Sequence, residues 1–353
     1  MVRKSKESAE DTVNPEDQAA AAKTADRALQ LVLNQINGAK GNKQPDVIRI
    51  GWLGEMKSLN VPVIPSGSLA LDLALGCGGY PQGRIIEIVG LDSNGKTTIA
   101  LHAIAEAQKL GMVCAFIDVE HASHPEYIRA IGVDIDKLLF SQPSDGDEAM
   151  RTVDMLARSE LVSLIVVDSV ASLVTQAEME GEITDNHIGR QARLMSQSLK
   201  KLVTVCGKSN TCIIFINQIR NKIGVLYGSP ETSSGGLALK FYATCRLDVR
   251  RKEPIKEGDN TLGSVTQVHV IKNKVAPPFK KAYFNIMFGK GIDKEADIVA
   301  VASEQGVIQR SGAWYSYKGE QVAQGLENTI VYFRERPELM KEVRDLLLGG
   351  KKE

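Results

Sequence analysis

Four short apolar runs recur through the middle of the chain: "RIIEIVG" (84–90), "VCAFIDVE" (113–120), "LIVVDSV" (164–170) and "CIIFINQ" (212–218). Each is too short and too uniformly apolar for a helix stripe and reads as a strand buried on both faces. Between them, "DEAMRTVDMLARSE" and "GRQARLMSQSLKKLVTVC" carry apolar residues at helical spacing. Strands alternating with helices in this way predict an α/β fold with a mainly parallel sheet flanked by crossover helices. From about Ala243 the rhythm changes. "ATCRLDVRRKE", "SVTQVHVIKNKV" and "KAYFNIMFG" follow one another with no helix between, so antiparallel strands should extend the same sheet. After Gly291, two helical stretches around the aromatic turn "GAWYSY" predict a small α+β module over 291–348, followed by a short tail at 349–353.

At the other end, residues 1–24 are polar and charged with almost no bulky apolar residue, the signature of a disordered extension. From Ala25, "ADRALQLVLNQINGAKG" has helical spacing and stops at glycine, and "DVIRIGWL" (46–53) reads as a strand. A helix–strand segment over 25–57 is therefore expected ahead of a core spanning 58–290.

Composition narrows the picture little. The 353 residues are 43% hydrophobic and carry 43 basic against 43 acidic side chains, so any polyanion site must come from local clustering. That length suggests two or three domains. No run approaches the ~18 apolar residues of a membrane span, which leaves a cytoplasmic protein with no membrane partner as the expectation. The five cysteines lack C-x-x-C spacing, and His121 and His124 have no companions at ligand spacing, which argues against disulfides and zinc.

The chemistry begins where the first central strand ends. Residues 90–97, Gly90-Leu91-Asp92-Ser93-Asn94-Gly95-Lys96-Thr97, fit G-x-x-x-x-G-K-[ST] between a strand and a helix that continues through Thr98. In such a loop backbone amides cradle phosphates, the lysine reaches the terminal phosphates and the hydroxyl coordinates magnesium. This is a P-loop NTPase signature, with ATP and Mg2+ as the implied ligands. A second strand should end in an acid near the metal, and Asp168 closes "LIVVD". Glu120 closes "FIDVE", where a carboxylate can polarise the water that attacks a phosphate. Gln218, at the end of "FINQ", can bond both the terminal phosphate and the chain that follows.

Long idiosyncratic strings surround these positions: "FIDVEHA", "VDSVASL", "EMEGEITDNHIGRQARLMSQSLKKL", "FINQIRNKIGVLYGSPETSSGGLALKFYA", "VIKNKVAPPFK" and "GAWYSYKGEQVAQG". With them the chain closely resembles the bacterial RecA recombinases from about Ala25 to Leu348. A ring helicase or regulatory ATPase sharing the core would account for 85–220 but not for these strings. The resemblance implies a RecA-like core and an ATP-dependent helical filament, self-assembled on single-stranded DNA through the 25–57 segment. Such a filament pairs homologous duplex and exchanges strands in recombination and repair. It further implies a part in the response to DNA damage, with a LexA-like repressor among the partners. Glu120 then matches the water-activating glutamate, Gln218 the sensor that couples phosphate to DNA, and Tyr127 the ring stacked on adenine. Residues 181–188 and 220–236 match the two DNA-binding loops. Arg193, Ser196, Lys200, Arg220 and Lys222 offer phosphate contacts, Gly235 and Gly236 backbone amides, and Ile188 and Ile223 apolar wedges between bases. Lys272 and Lys274, two apart on a strand-like segment and so on one face, match the pair that reaches across the subunit interface to a neighbour's ATP.

The chain also departs from the family pattern. "LDSN" stands where Pro-Glu-Ser-Ser is usual, His124 where an aspartate contacts the adenine edge, and Asn221 where the second loop is apolar. The polar extension is additional, and the ending "LLLGGKKE" lacks the acidic tail of many relatives. Such drift suits a phage-borne or otherwise divergent homologue.

Overall fold

A computed structural model describes residues 15–36, 61–180, 189–221, 231–233 and 235–349, which fall into two units, 1–60 and 61–353. The first unit is represented by one helix, α1 (Pro15–Ile36). It begins ten residues before the expected start at Ala25, so residues 15–24 are helical and not part of a disordered extension. Proline pre-sets the first helical φ, Glu16 and Asp17 suit the positive end of the helix dipole, and the alanines at 19–22 have the highest helix propensity. Propensity outweighs polarity here. The expected strand at 46–53 lies outside the described residues.

The second unit opens with a small antiparallel ribbon, β1 (Val63–Ile64) with β2 (Tyr80–Pro81), around helix α2 (Leu69–Leu75). The alternating section follows: β3 (Ile85–Gly90), α3 (Lys96–Lys109), β4 (Cys114–Asp118), α4 (Pro125–Ala130), β5 (Leu138–Ser141) and α5 (Gly146–Arg158). It continues with β6 (Leu164–Asp168), α6 (Gln176–Met179), α7 (Arg190–Ser209) and β7 (Cys212–Asn221). After β8 (Glu231–Ser233) and α8 (Ala238–Tyr242) come four strands without a helix between them. These are β9 (Cys245–Glu257), β10 (Asn260–Asn273), β11 (Lys281–Met287) and β12 (Gly291–Ile292). The chain then runs through α9 (Lys294–Glu304), β13 (Gln309–Ser311), β14 (Trp314–Tyr317), β15 (Glu320–Gln324), α10 (Leu326–Arg334) and α11 (Pro337–Leu347).

The large sheet has the order β12-β11-β10-β9-β3-β7-β6-β4-β5, with β8 added to the end of β7. Pairing is parallel from β9 through β3, β7, β6 and β4 to β5, and antiparallel from β9 to β12, as the two rhythms of the sequence predict. Its two faces carry separate cores. Ile99, Leu101 and Ile104 of α3 pack with Ile86, Ile88 and Leu247. On the opposite face Val153 of α5 and Leu199 of α7 pack with Ile165, Ile213 and Phe215. Strands covered on both sides bury every residue of β3, β4 and β6, which is why they read as unbroken apolar runs. One exception sits in that wall: Glu87, fully buried, accepts from Asn217 Nδ2 (3.0 Å) and pairs with Arg246.

The three-stranded sheet β13–β15 and helices α9–α11 enclose a third core around Phe333, which also takes in Leu69 of α2. Asp297 of α9, buried, accepts from the Leu69 (2.5 Å) and Ala70 (3.4 Å) amides and so caps α2. Beside it Asp72 accepts from the Ser66 amide at 2.8 Å. Burial pushes Asp72 up to about 7 and Asp297 up to about 6, each from an ordinary 3.8. A carboxyl raised in this way binds more protons folded than unfolded between the two values, so its contribution to stability falls as pH rises through that window. Asp72→Asn keeps an acceptor for Ser66 without the charge. In urea unfolding it should gain stability relative to the parent chain between about pH 4 and pH 7; a difference that does not change with pH would contradict the assignment.

Candidate nucleotide and DNA site

Register brings the polar strand ends together. Gly90 lies opposite Gln218 across the β3–β7 pair, and Asp118 opposite Asp168 across β4–β6. The loop from Gly90 to Thr97, Gln218, Asp168 and Glu120 therefore occupy neighbouring ends of β3, β7, β6 and β4, on one edge of the sheet.

The phosphate loop is shaped by close approach. A Cβ on Gly90 would stand 2.4 Å from the Val249 carbonyl oxygen of β9. Gly95, at φ +88, forms the N-cap of α3, and a Cβ there would lie 2.6 Å from Ile286 Cδ1. Ser93 also has positive φ (58°), and Asn94 Nδ2 donates to the Val249 carbonyl at 3.1 Å, tying the loop to β9. The Lys96 ammonium folds back to the Leu91 carbonyl at 2.8 Å. Burial lowers its pKa, an effect opposed by Asp92, Asp168 and Glu120. These are the requirements of a loop that turns amides and one cation toward an anion.

Thr97 Oγ1 donates to Asp168 Oδ2 at 2.6 Å. Burial, reinforced by Glu120 and Asp118, raises Asp168 to about 6 against the opposing Thr97 bond and Lys96 charge. An all-oxygen pair of one hydroxyl and one carboxylate fits Mg2+, which keeps most of its waters and takes the rest of its shell from phosphate. Among the described residues no cluster of three His, Cys, Asp or Glu side chains could hold a metal by itself.

Glu120 is exposed at the cleft, and two donors fix its Oε1: Ser169 Oγ at 2.5 Å and Gln218 Nε2 at 3.3 Å. The turn that carries it is organised by Asp118, which accepts from the Ala122 (3.4 Å) and Ser123 (3.2 Å) amides and from Gln142 Nε2 (3.0 Å). Neither Ser169 nor Asp118 was singled out from the sequence. Their signal was available in an acid closing a buried apolar strand and in a hydroxyl directly after Asp168. The Tyr127 hydroxyl is 2.7 Å from Thr98 Oγ1. Tyr127 and Thr97 line two adjoining cavities, of about 320 and about 110 Å³. The larger is closed on its far side by Ile286, Met287, Phe288 and Gly289. His124 is exposed and lies 3.1 Å from Glu126, at the mouth of the smaller.

Along α7, Arg193, Ser196 and Lys200 are exposed at spacings of three and four, one face of the helix. Gly235 and Gly236, at φ +74 and +78, press against Val170 and Ala192, where a Cβ would come within 2.7 and 2.9 Å. Gln191 Nε2 donates to the Val170 (2.7 Å) and Leu173 (3.0 Å) carbonyls. The start of α7 and the return of the 220–236 segment are thus packed side by side. Arg220 pairs with Thr232 where β7 meets β8. Ile188, Lys222 and Ile223 lie outside the described residues.

Lys272 and Lys274 stand apart from this cluster. Lys272 pairs with Arg246, toward the beginning of β3 and away from its phosphate-loop end. Its ammonium donates to the Lys240 (2.6 Å) and Phe241 (3.0 Å) carbonyls, which close α8. A bulge separates Val270 from Lys272 and the strand ends at Asn273; Lys274, exposed, lies just beyond it, its amide donating to the Thr244 carbonyl at 3.1 Å.

A mainly parallel sheet bearing a phosphate loop on one strand, an acid on the next but one and a glutamate beyond it defines a P-loop fold of the RecA-like class. The sequence profile described as the RecA N-terminal domain matches residues 27–293, and that of the RecA C-terminal domain residues 296–348. The chain is 52% identical to Protein RecA of Salinispora arenicola over 329 residues, 93% of each chain. It is 53% identical to Protein RecA of Saccharopolyspora erythraea over 317 residues, 90% of each. It belongs to the RecA family, the recombinases of DNA recombination and repair, which bind nucleotide and DNA and assemble with themselves. The close approach at Gly90 makes it a sensitive probe of the loop. Gly90→Ala should cost about 1–3 kcal/mol through displacement of β9 from β3, read as a lower denaturation midpoint; an unchanged midpoint would show the contact to be slack.

Proposed function

We propose that the chain is a DNA-dependent ATPase that forms helical filaments on single-stranded DNA and uses them for homologous pairing and strand exchange. The observation that carries this reading is the meeting of Lys96, Thr97, Glu120, Asp168 and Gln218 at one sheet edge, with β7 running from Gln218 straight toward the 220–236 loop. Lys96 neutralises the β- and γ-phosphates, the loop amides from Gly90 to Thr98 hold them, and Tyr127 stacks on the base. Thr97 and Asp168 would hold Mg2+, which would supply positive charge to the phosphates. Glu120 orients the attacking water, held in place by Ser169 and Gln218. When the terminal phosphate is cut, Gln218 loses a partner, and the strand it ends carries that change to the DNA loops. Arg193, Ser196, Lys200, Arg220 and Lys222 contact DNA phosphates, Gly235 and Gly236 offer amides, and Ile188 and Ile223 separate bases. We divide the chain into an assembly segment (25–57), an ATPase core (58–290) and a C-terminal module (291–348).

ATP hydrolysis with and without single-stranded DNA tests the reading, which requires stimulation. Lys96→Ala should abolish tight nucleotide binding. Glu120→Gln should retain binding and slow turnover by ~10²–10⁴-fold, the range for loss of a general base. Undiminished turnover would remove Glu120 from that role.

Lys272 and Lys274 lie too far along the sheet to serve their own phosphate loop. We assign them to the neighbour's ATP, where two cations stabilise the transferring phosphoryl group in trans. To get there Lys272 must leave the α8 carbonyls. Lys272→Ala should bind nucleotide but lose DNA-stimulated hydrolysis. Mixing it with Glu120→Gln should restore part of the activity, because some interfaces then pair an intact Glu120 with intact lysines. Normal hydrolysis by the Lys272 variant on DNA would end the shared-site assignment.

A further inference from the structure

The helix that starts at the phosphate loop carries a second polar line, on the side turned toward the C-terminal module. Thr98, His102 and Glu106 succeed one another at every fourth residue of α3. Thr98 meets Tyr127 in the nucleotide cleft, and Glu106 accepts from Lys109 (2.8 Å) and from Lys294 of α9 (2.5 Å). Between them His102, only 2% exposed, accepts the Ile292 amide on Nε2 at 2.7 Å. That bond makes the tautomer with hydrogen on Nδ1, and Nδ1 has no partner in its buried position. The ring is wedged between two glycines. A Cβ on Gly67 (φ +89) would stand 2.9 Å from His102 Cβ, and one on Gly291 (φ +82) 2.3 Å from Nε2. Burial, with Lys294 nearby, lowers His102 to about 3, so its acceptor lone pair is free at neutral pH. A buried donor left unpaired and two side chains forgone are a large outlay for one hydrogen bond.

What that bond holds is the wall of the cleft. Ile292 pairs with Ile286 and Gly291 with Met287 across the β11–β12 hairpin. Ile286, Met287, Phe288 and Gly289 face Lys96, Thr97 and Tyr127 across the 320 Å³ cavity. We propose that His102 is a positioning residue for nucleotide binding: by accepting the Ile292 amide it fixes the spacing between the phosphate loop and the hairpin that closes the cleft. The inference rests on the cleft being the nucleotide site. It predicts a residue that controls affinity without touching the nucleotide.

The test uses the full chain, with ATP and Mg2+, measuring ATP binding at equilibrium and KM and kcat of DNA-stimulated hydrolysis. His102→Leu leaves the Ile292 amide without an acceptor and should raise Kd and KM about tenfold, with kcat held within about twofold. His102→Gln, which can present an acceptor oxygen at similar reach, should restore both toward the parent values. Phe333→Ala, which opens the third core, should lower stability and leave KM unchanged. Should the leucine variant fail to fold, His102→Asn, too short to reach Ile292, replaces it, with faster amide hydrogen exchange over 286–292 as the direct readout. An unchanged KM in the leucine or asparagine variant, no rescue by glutamine, or an equal rise in Phe333→Ala would each overturn the proposal. Failure of the cleft assignment is seen separately, as undiminished ATP binding by Lys96→Ala.

Discussion

Parallel pairing of β3, β7, β6 and β4 is the constraint on which the site depends. Parallel strands point the same way, so whatever terminates each apolar run is delivered to one edge of the sheet. The register then sets the level of each end: Gly90 with Gln218, Asp118 with Asp168. No long-range recognition between polar groups is needed to gather them. Burial of the apolar faces by α3 on one side and α5 and α7 on the other places a lysine, an aspartate, a glutamate and a glutamine at one end of the sheet, where the charges of the first three act on one another. Desolvation at that edge then changes their chemistry, lowering Lys96 and raising Asp168.

The same edge explains how much could be read from the linear chain. Lys96, Thr97 and Gly95 belong to one local motif, and Glu120, Asp168 and Gln218 each end a recognisable strand, so their meeting follows from topology alone. Ser169 and Asp118 escape the linear reading because their roles lie in their partners: Ser169 donates to Glu120, and Asp118 accepts from the Ala122 and Ser123 amides and from Gln142. Glu87 was invisible for a related reason. A single acid in an apolar strand says nothing of Asn217 and Arg246, which lie 130 and 159 residues away. The start of α1 was misjudged because weak propensities summed over ten residues outweighed the polar composition.

The C-terminal module is joined to the large sheet and its helices by more than a linker. Asp297 caps α2, Lys294 pairs with Glu106, and Leu69 completes the third core. These links run through α2 and α3, the helices before and after the phosphate-loop strand in the chain, which share one core. The module therefore shares a frame with the nucleotide cleft instead of hanging from its end.

On the proposed shared site, the position of Lys272 gives an assembly of these chains a direction. Each protomer offers a phosphate loop at one end of its strands and lysines toward the other, and each loop meets the lysines of the next protomer. Repeated head to tail along a filament, such a contact is heterologous, and a heterologous contact that does not close propagates without limit. On the shared-site reading a row of n protomers holds n − 1 complete sites. The protomer at one extremity has a loop with no lysines facing it, and the protomer at the other has lysines with no loop to face. The two tips of one polymer then differ chemically although every subunit is identical, and exchange of subunits with solution need not occur at the same rate from both.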